Sequence, residues 1–68
     1  MIIILNGENK QVDSGINIEQ LLQDIGLSGK RLAVEVNEQI VPRSEFSEIA
    51  LQESDKVEIV QAIGGGSF

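Results

Sequence analysis

The stretch whose composition points most directly to chemistry is the ending Ala62-Ile63-Gly64-Gly65-Gly66-Ser67-Phe68. Elsewhere the usual reactive side chains are missing. With no Cys and no His, the chain lacks both the best thiol nucleophile and the proton shuttle that works at neutral pH. The same lack removes the usual donors of a zinc site, so neither a metal site nor a bound cofactor is expected. Scattered carboxylates remain, but a chain of 68 residues seldom encloses a substrate between two of them. Independent catalysis is therefore not expected, and the protein is read as a non-enzyme. Three glycines in a row offer something else. A backbone without Cβ atoms can thread a channel too narrow for other residues, and a terminal glycine carboxylate is unhindered, so its carbon can be activated and attacked. Two readings stand at this point. The tail is a frayed end or an expression scar, as chain ends often are, or it is an arm that carries a covalent cargo.

Whatever the tail does, a small domain must hold it. One domain is expected at this length, with a narrow stability margin. It must fold on packing alone, because disulfide and metal staples are both ruled out and 41% of its residues are hydrophobic. No apolar run approaches the ~20 residues of a membrane span, and Met1-Ile2-Ile3-Ile4-Leu5 runs straight into Asn6 without a basic leader. A soluble, cytoplasmic protein without membrane contact is the expectation. Eleven acidic against five basic residues give a net charge of −6, which argues against nucleic acid and allows either plain solubility or docking onto a more basic protein.

The elements follow from the pattern. Residues 1–5 are an apolar, β-branched run read as a first strand, and Asn6-Gly7 is the strongest short hairpin signal. A short second strand is expected over Lys10 to Val12, ended by Asp13-Ser14-Gly15. Ile18, Leu21, Leu22 and Ile25 fall at i, i+3, i+4 and i+7, one apolar helical stripe. Asn17 supplies an N-cap, Gln20 completes a capping box, and Gly26 lies where a left-handed glycine ends helices. Leu32, Val34 and Val36 alternate along a third strand. Asn37-Glu38 turns into a short return strand over Gln39 to Val41, which Pro42 stops. Arg43 to Ala50 reads as irregular with Phe46 as its core anchor, and a last strand runs from Lys56 to Ile63 after the turn Glu53-Ser54-Asp55. A hairpin, a crossing helix and further strands, with a right-handed crossover setting the last strand parallel to the first at mid-sheet, make an α+β fold of the β-grasp, or ubiquitin-like, type. It is a mixed sheet of four to five strands with one helix on one face. Residues 1–63 form the domain and 64–68 a flexible Gly-rich tail.

The ending from Val57 to Gly66 (VEIVQAIGGG), the stretch from Arg31 to Phe46 (RLAVEVNEQIVPRSEF) and the opening MIIILNGE resemble the ThiS-type sulfur carriers of thiamin biosynthesis. The resemblance covers essentially the whole chain. The carrier of molybdopterin synthesis shares the fold and the Gly-Gly end, but the VPRSE stretch fits it less well. The resemblance implies a substrate protein. An E1-like adenylyltransferase, using its own ATP and Mg²⁺, converts the terminal glycine carboxylate into an acyl-adenylate. A persulfide from a cysteine desulfurase displaces AMP to leave a thiocarboxylate, and thiazole synthase takes the sulfur. Carried onto this sequence, Gly66 is the adenylated and thiocarboxylated residue, with Gly65 and Gly64 as its flexible arm.

One departure stands out, because Ser67 and Phe68 follow Gly66. An internal glycine carbonyl is an amide with no carboxylate to adenylate. The pair is a precursor extension removed by a C-terminal peptidase, an inert end, or a cloning remnant. Alternatives therefore stay open: a sulfur carrier for another pathway, a non-reacting β-grasp interaction module, or a protein-modifying tag. A partner patch is also expected. If Ile3 and Leu5 face the helix, Ile2 and Ile4 face the other side of the first strand, and Val60 and Ala62 face the same side of the last.

Overall fold

The computed structural model describes residues 1–61. Each element traces to a local cause. β1 (Ile2–Leu5) and β2 (Glu8–Gln11) are antiparallel. The two residues between them, Asn6 and Gly7, sit at φ 49° and 84°, the left-handed pair whose twist suits a two-residue hairpin. That turn sets the register: Leu5 pairs with Glu8 directly after it. β2 consequently begins two residues before the expected Lys10, and Val12 lies just past its end, buried in the core.

α1 (Ile18–Asp24) starts at a reciprocal capping box. The Gln20 amide donates to Asn17 Oδ1 at 2.8 Å, and the Asn17 amide donates to Gln20 Oε1 at 2.9 Å, so two of the helix's orphan donors are satisfied. Gly26, at φ 78°, follows the last turn and lets the chain leave it without Cβ strain. Ile18, Leu21 and Leu22 are buried, and Ile25 packs partly against them.

β3 (Leu32–Val36) and β4 (Gln39–Val41) form a second hairpin over Asn37-Glu38, again with both turn residues at positive φ. Pro42 ends β4 and leads into a single 3₁₀ turn, Arg43–Glu45. A turn thus stands where the pattern from Arg43 to Ala50 predicts irregular chain; proline's preset φ and the bond from the Glu45 amide to the Pro42 carbonyl (2.9 Å) account for it. Phe46, next in the chain, is buried as expected.

β5 (Lys56–Gln61) completes a five-stranded sheet of order β2-β1-β5-β3-β4. It runs parallel to β1 and antiparallel to β3. The architecture is the expected α+β β-grasp. Ile3, Val34, Val57 and Ile59 come from the sheet, and Ile18, Leu21, Leu22 and Phe46 close over them. No polar or charged residue is buried among the described residues.

Candidate functional site

Two asparagines hold β5, the strand that precedes the three glycines in the sequence. Both occupy left-handed positions of hairpin turns, and each turns its side-chain oxygen on β5. Asn37 Oδ1 accepts the Lys56 amide at 3.0 Å, while its Nδ2 donates to Asp55 Oδ1 at the same distance. Asn6 Oδ1 accepts the Ile59 amide at 2.8 Å. The second bond does the work of a missing strand. The β1 ladder reaches β5 through the Ile4 amide on the Asp55 carbonyl and the Asn6 amide on the Val57 carbonyl, both 2.9 Å. β1 ends at Leu5, so the next inward donor on β5 is met by a side chain. The sequence reading used Asn6 and Asn37 only as turn formers. Their second role depends on which strand lies beside each turn, and local pattern does not contain that.

Of the residues expected to act, Gly64, Gly65, Gly66, Ser67, Phe68 and Ala62 lie outside the described residues, as does Ile63 at the end of the expected last strand. Ile2 and Ile4 are half-buried on β1, whereas Val60 is 68% exposed on β5. All three share the face away from the helix, since Ile4 pairs with Lys56 and Leu5 with Val57. They are nevertheless not one patch. Val60 is four residues beyond Lys56, about 13 Å along the strand at ~3.3 Å per residue, with Lys56 and Glu58 between.

Val60 has other neighbours. It pairs with Ala33 of β3, which is exposed. In the adjoining row Glu58 pairs with Glu35, and Glu35 pairs on its other side with Ile40 of β4. Ile40 is 74% exposed and is, with Val60, one of two large hydrophobic residues so exposed among the described residues. The sequence reading did not single out Ile40. Its three-residue strand was visible, but the face it presents follows only from pairing with Glu35. At the same end of the sheet, Leu32 pairs with Gln61, and Arg43 Nη2 donates to the Lys30 carbonyl at 2.7 Å. Three of the chain's five basic residues, Lys30, Arg31 and Arg43, thus gather near the point where β5 hands over to the tail.

Nothing in the described residues offers a catalytic centre. No group of three or more potential metal ligands comes together. A shallow groove of about 340 Å³ between the Asp13–Ile16 loop and α1 carries Asp13 and Asp24 but no side-chain nucleophile stronger than Ser14. No helix is long and apolar enough to cross a membrane.

The described residues form a β-grasp domain whose central strand, β5, is paired on both sides and precedes the three glycines in the sequence. The comparisons agree. Residues 3–66 match the ThiS family, and the chain belongs to that family. It is 30% identical to the sulfur carrier protein ThiS of Escherichia coli (strain K12) over 97% of this chain and all of that one. A crystal structure of the thiamine biosynthesis protein ThiS from Geobacter metallireducens superposes with a TM-score of 0.83 at 28% identity, covering 97% of this chain and 100% of the other. A thiazole synthase of Paramagnetospirillum magneticum is 40% identical over 98% of this chain, which spans only 21% of that protein's length.

Proposed function

We propose that the chain carries sulfur for thiazole formation in thiamin biosynthesis, acting through the carboxylate of Gly66. The observation that carries this reading is the family match, which ends at Gly66 and leaves Ser67 and Phe68 beyond it. The chemistry of the sequence supports it: with no Cys or His, a chain-terminal carboxylate is the best remaining group for a covalent cargo. Residues 1–63 serve as the domain and 64–68 as the arm.

The steps run as follows. A peptidase hydrolyses the Gly66–Ser67 bond and exposes the carboxylate. On an E1-like adenylyltransferase, a Gly66 carboxylate oxygen attacks the α-phosphorus of ATP, held with Mg²⁺ by that enzyme, and pyrophosphate leaves. The terminal sulfur of a cysteine desulfurase-derived persulfide then attacks the acyl carbon, and AMP leaves. A thiol cleaves the resulting S–S bond, forming a new disulfide and releasing the Gly66 thiocarboxylate. Adenylation matters because a carboxylate has no leaving group of its own. Thiazole synthase is the acceptor of the sulfur. A thiazole synthase that contains a segment 40% identical to this chain supports that pairing, since it sets a similar domain in the same polypeptide as a synthase. The work belongs in the cytoplasm, where ATP and the partners are found.

The test is the mass of the carrier isolated from its own cells, alongside reconstitution with the adenylyltransferase, ATP, Mg²⁺ and a persulfide donor. The chain ending at Gly66 should gain the mass of one oxygen exchanged for sulfur, and the full-length chain should not react. If Ser67-Phe68 is retained under every growth condition and the Gly66-terminated chain takes up no sulfur, the carrier reading fails. The non-reacting interaction module would then account for the protein, and deleting Gly65 to Phe68 would leave its binding intact. A sulfur-loaded carrier that thiazole synthase does not discharge would point to another sulfur pathway. Isopeptide adducts on other proteins would point to a modifying tag.

A further inference from the structure

Of the chain's four asparagines, Asn6 alone precedes a glycine; Asn9, Asn17 and Asn37 precede Lys10, Ile18 and Glu38. An asparagine so placed is prone to react with its own backbone. The next peptide nitrogen can attack the side-chain amide carbon, and glycine, without a Cβ, leaves the approach unhindered. Asn6 and Gly7 are both exposed, and a Cβ at Gly7 would meet no described atom within 4 Å. Hydroxide therefore reaches the Gly7 amide to take its proton. One restraint stands against the reaction. Ring closure joins Asn6 Cγ to the Gly7 nitrogen, which requires the side chain to swing back over its own peptide bond. In the folded chain Asn6 Oδ1 is instead held across the sheet by the Ile59 amide at 2.8 Å, and the Leu5–Glu8 pair closes the turn.

We propose that Asn6 is a site of spontaneous deamidation that the Ile59 bond holds in check, so that isoaspartate forms there when β5 opens. Water is the only co-reactant. The Gly7 nitrogen, its proton lost to hydroxide, bonds to Asn6 Cγ; the Cγ–Nδ2 bond breaks, and ammonia leaves with a proton from water. Water then opens the cyclic imide at either carbonyl. Cleavage between Cγ and the Gly7 nitrogen gives aspartate, which keeps the backbone path and an oxygen in place of Oδ1. Cleavage between the Asn6 carbonyl carbon and that nitrogen gives isoaspartate, whose main chain runs through Cβ and Cγ and is one atom longer. The two products differ in consequence. A two-residue turn sets the Leu5–Glu8 register and cannot take an extra backbone atom without disturbing it. The carbon that bore the acceptor now lies in the main chain, so the Ile59 amide loses its partner. Restraint and damage thus act on one bond: loosening of β5 frees Asn6 to react, and reaction keeps β5 loose. None of this depends on the carrier reading.

The experiment ages the full chain at mildly alkaline pH, both native and unfolded in urea. Peptide-mass mapping locates the deamidated residue, and methyl transfer from S-adenosylmethionine by an isoaspartyl carboxyl methyltransferase counts the isoaspartate. Isoaspartate should appear first at Asn6, and roughly tenfold or more slowly in the native protein than in urea, because only the open fraction reacts. Ile59→Val trims a buried side chain of β5 and leaves the turn's own residues unchanged. It should speed native deamidation about two- to tenfold while the rate in urea stays that of wild type. The isoaspartyl form, separated by ion exchange, should lose hydrogen-exchange protection at Ile59, whereas Asn6→Asp keeps it. Equal rates in the native and unfolded chain overturn the proposal, as does no reaction in either or reaction at Asn9, Asn17 or Asn37 ahead of Asn6. A native rate unmoved by Ile59→Val overturns it too, since opening of β5 would then not be the gate. Isoaspartyl protein that keeps its protection at Ile59 also overturns it.

Discussion

The bond from the Ile59 amide to Asn6 Oδ1 makes a sharp prediction about the strand that bears the tail. Replacing Asn6 with Ala removes the acceptor from a partly buried donor. A backbone N–H left unpaired costs about 1–3 kcal/mol, and partial access of water places this one near the lower figure. Asn6 also sits at φ 49°, where a residue with an ordinary Cβ costs about 1–2 kcal/mol more than one that tolerates the left-handed region. The sum is about 2–3 kcal/mol. Against the ~3–10 kcal/mol expected of a domain this size, that is a large fraction, and at ~4–8 °C per kcal/mol it lowers the melting temperature by about 8–24 °C. Asn6→Asp keeps both the oxygen and the tolerance of positive φ, and should stay within about 0.5 kcal/mol of wild type. Asn6→Gly keeps only the conformation and should fall between them. Urea titration followed by far-ultraviolet circular dichroism measures the series, and hydrogen exchange at Ile59 reports whether the loss is local to β5. If Asp is as damaging as Ala, the side-chain oxygen is not what holds the strand. If Ala is harmless, neither term of the argument survives.

The remaining predictions are simpler. Asn17→Ala breaks the capping box and should cost about 1 kcal/mol, read as a shift in the urea midpoint, with Gln20→Ala costing less. Phe46 is 3% exposed; Phe46→Ala should cost about 3–5 kcal/mol, enough to leave much of the protein unfolded by circular dichroism at 25 °C. Deleting Gly65 to Phe68 should leave the melting temperature unchanged within error, since two of the four residues removed are glycines, which have no side chain to pack. The same deletion should abolish sulfur loading by intact mass.

Much of the fold was written in local signals. The Asn17–Gln20 box, the 18/21/22 stripe, both positive-φ turns and the burial of Phe46 needed only neighbouring residues to predict, and each is present in the structure. β2 was misplaced because an exposed edge strand, Glu-Asn-Lys-Gln, has no hydrophobic alternation to reveal it. Only the two-residue turn sets where it begins. The open face was legible by parity and illegible by distance. Alternation puts Ile2, Ile4 and Val60 on one side, but the offset between β1 and β5 is a tertiary fact. It moves Val60 away from the isoleucines and sets it beside Ala33. The chemistry proposed for the glycines rests on residue types and resemblance, because glycines have no side-chain pattern to read.

The pairing of β1 with β5 also sets the order in which the protein can be made. Ile4 and Lys56, partners in the centre of the sheet, lie 52 positions apart, so their contact carries a high loop-closure cost and must wait for nearly all of the chain. The β1–β2 hairpin and α1 can form early on the ribosome, but the sheet has no middle until β5 emerges. An unfinished chain thus lacks Val57 and Ile59 from its core and Glu58 and Val60 from its open face. Among residues 1–61, closure of the sheet and completion of the core are therefore one late event, set by the emergence of β5.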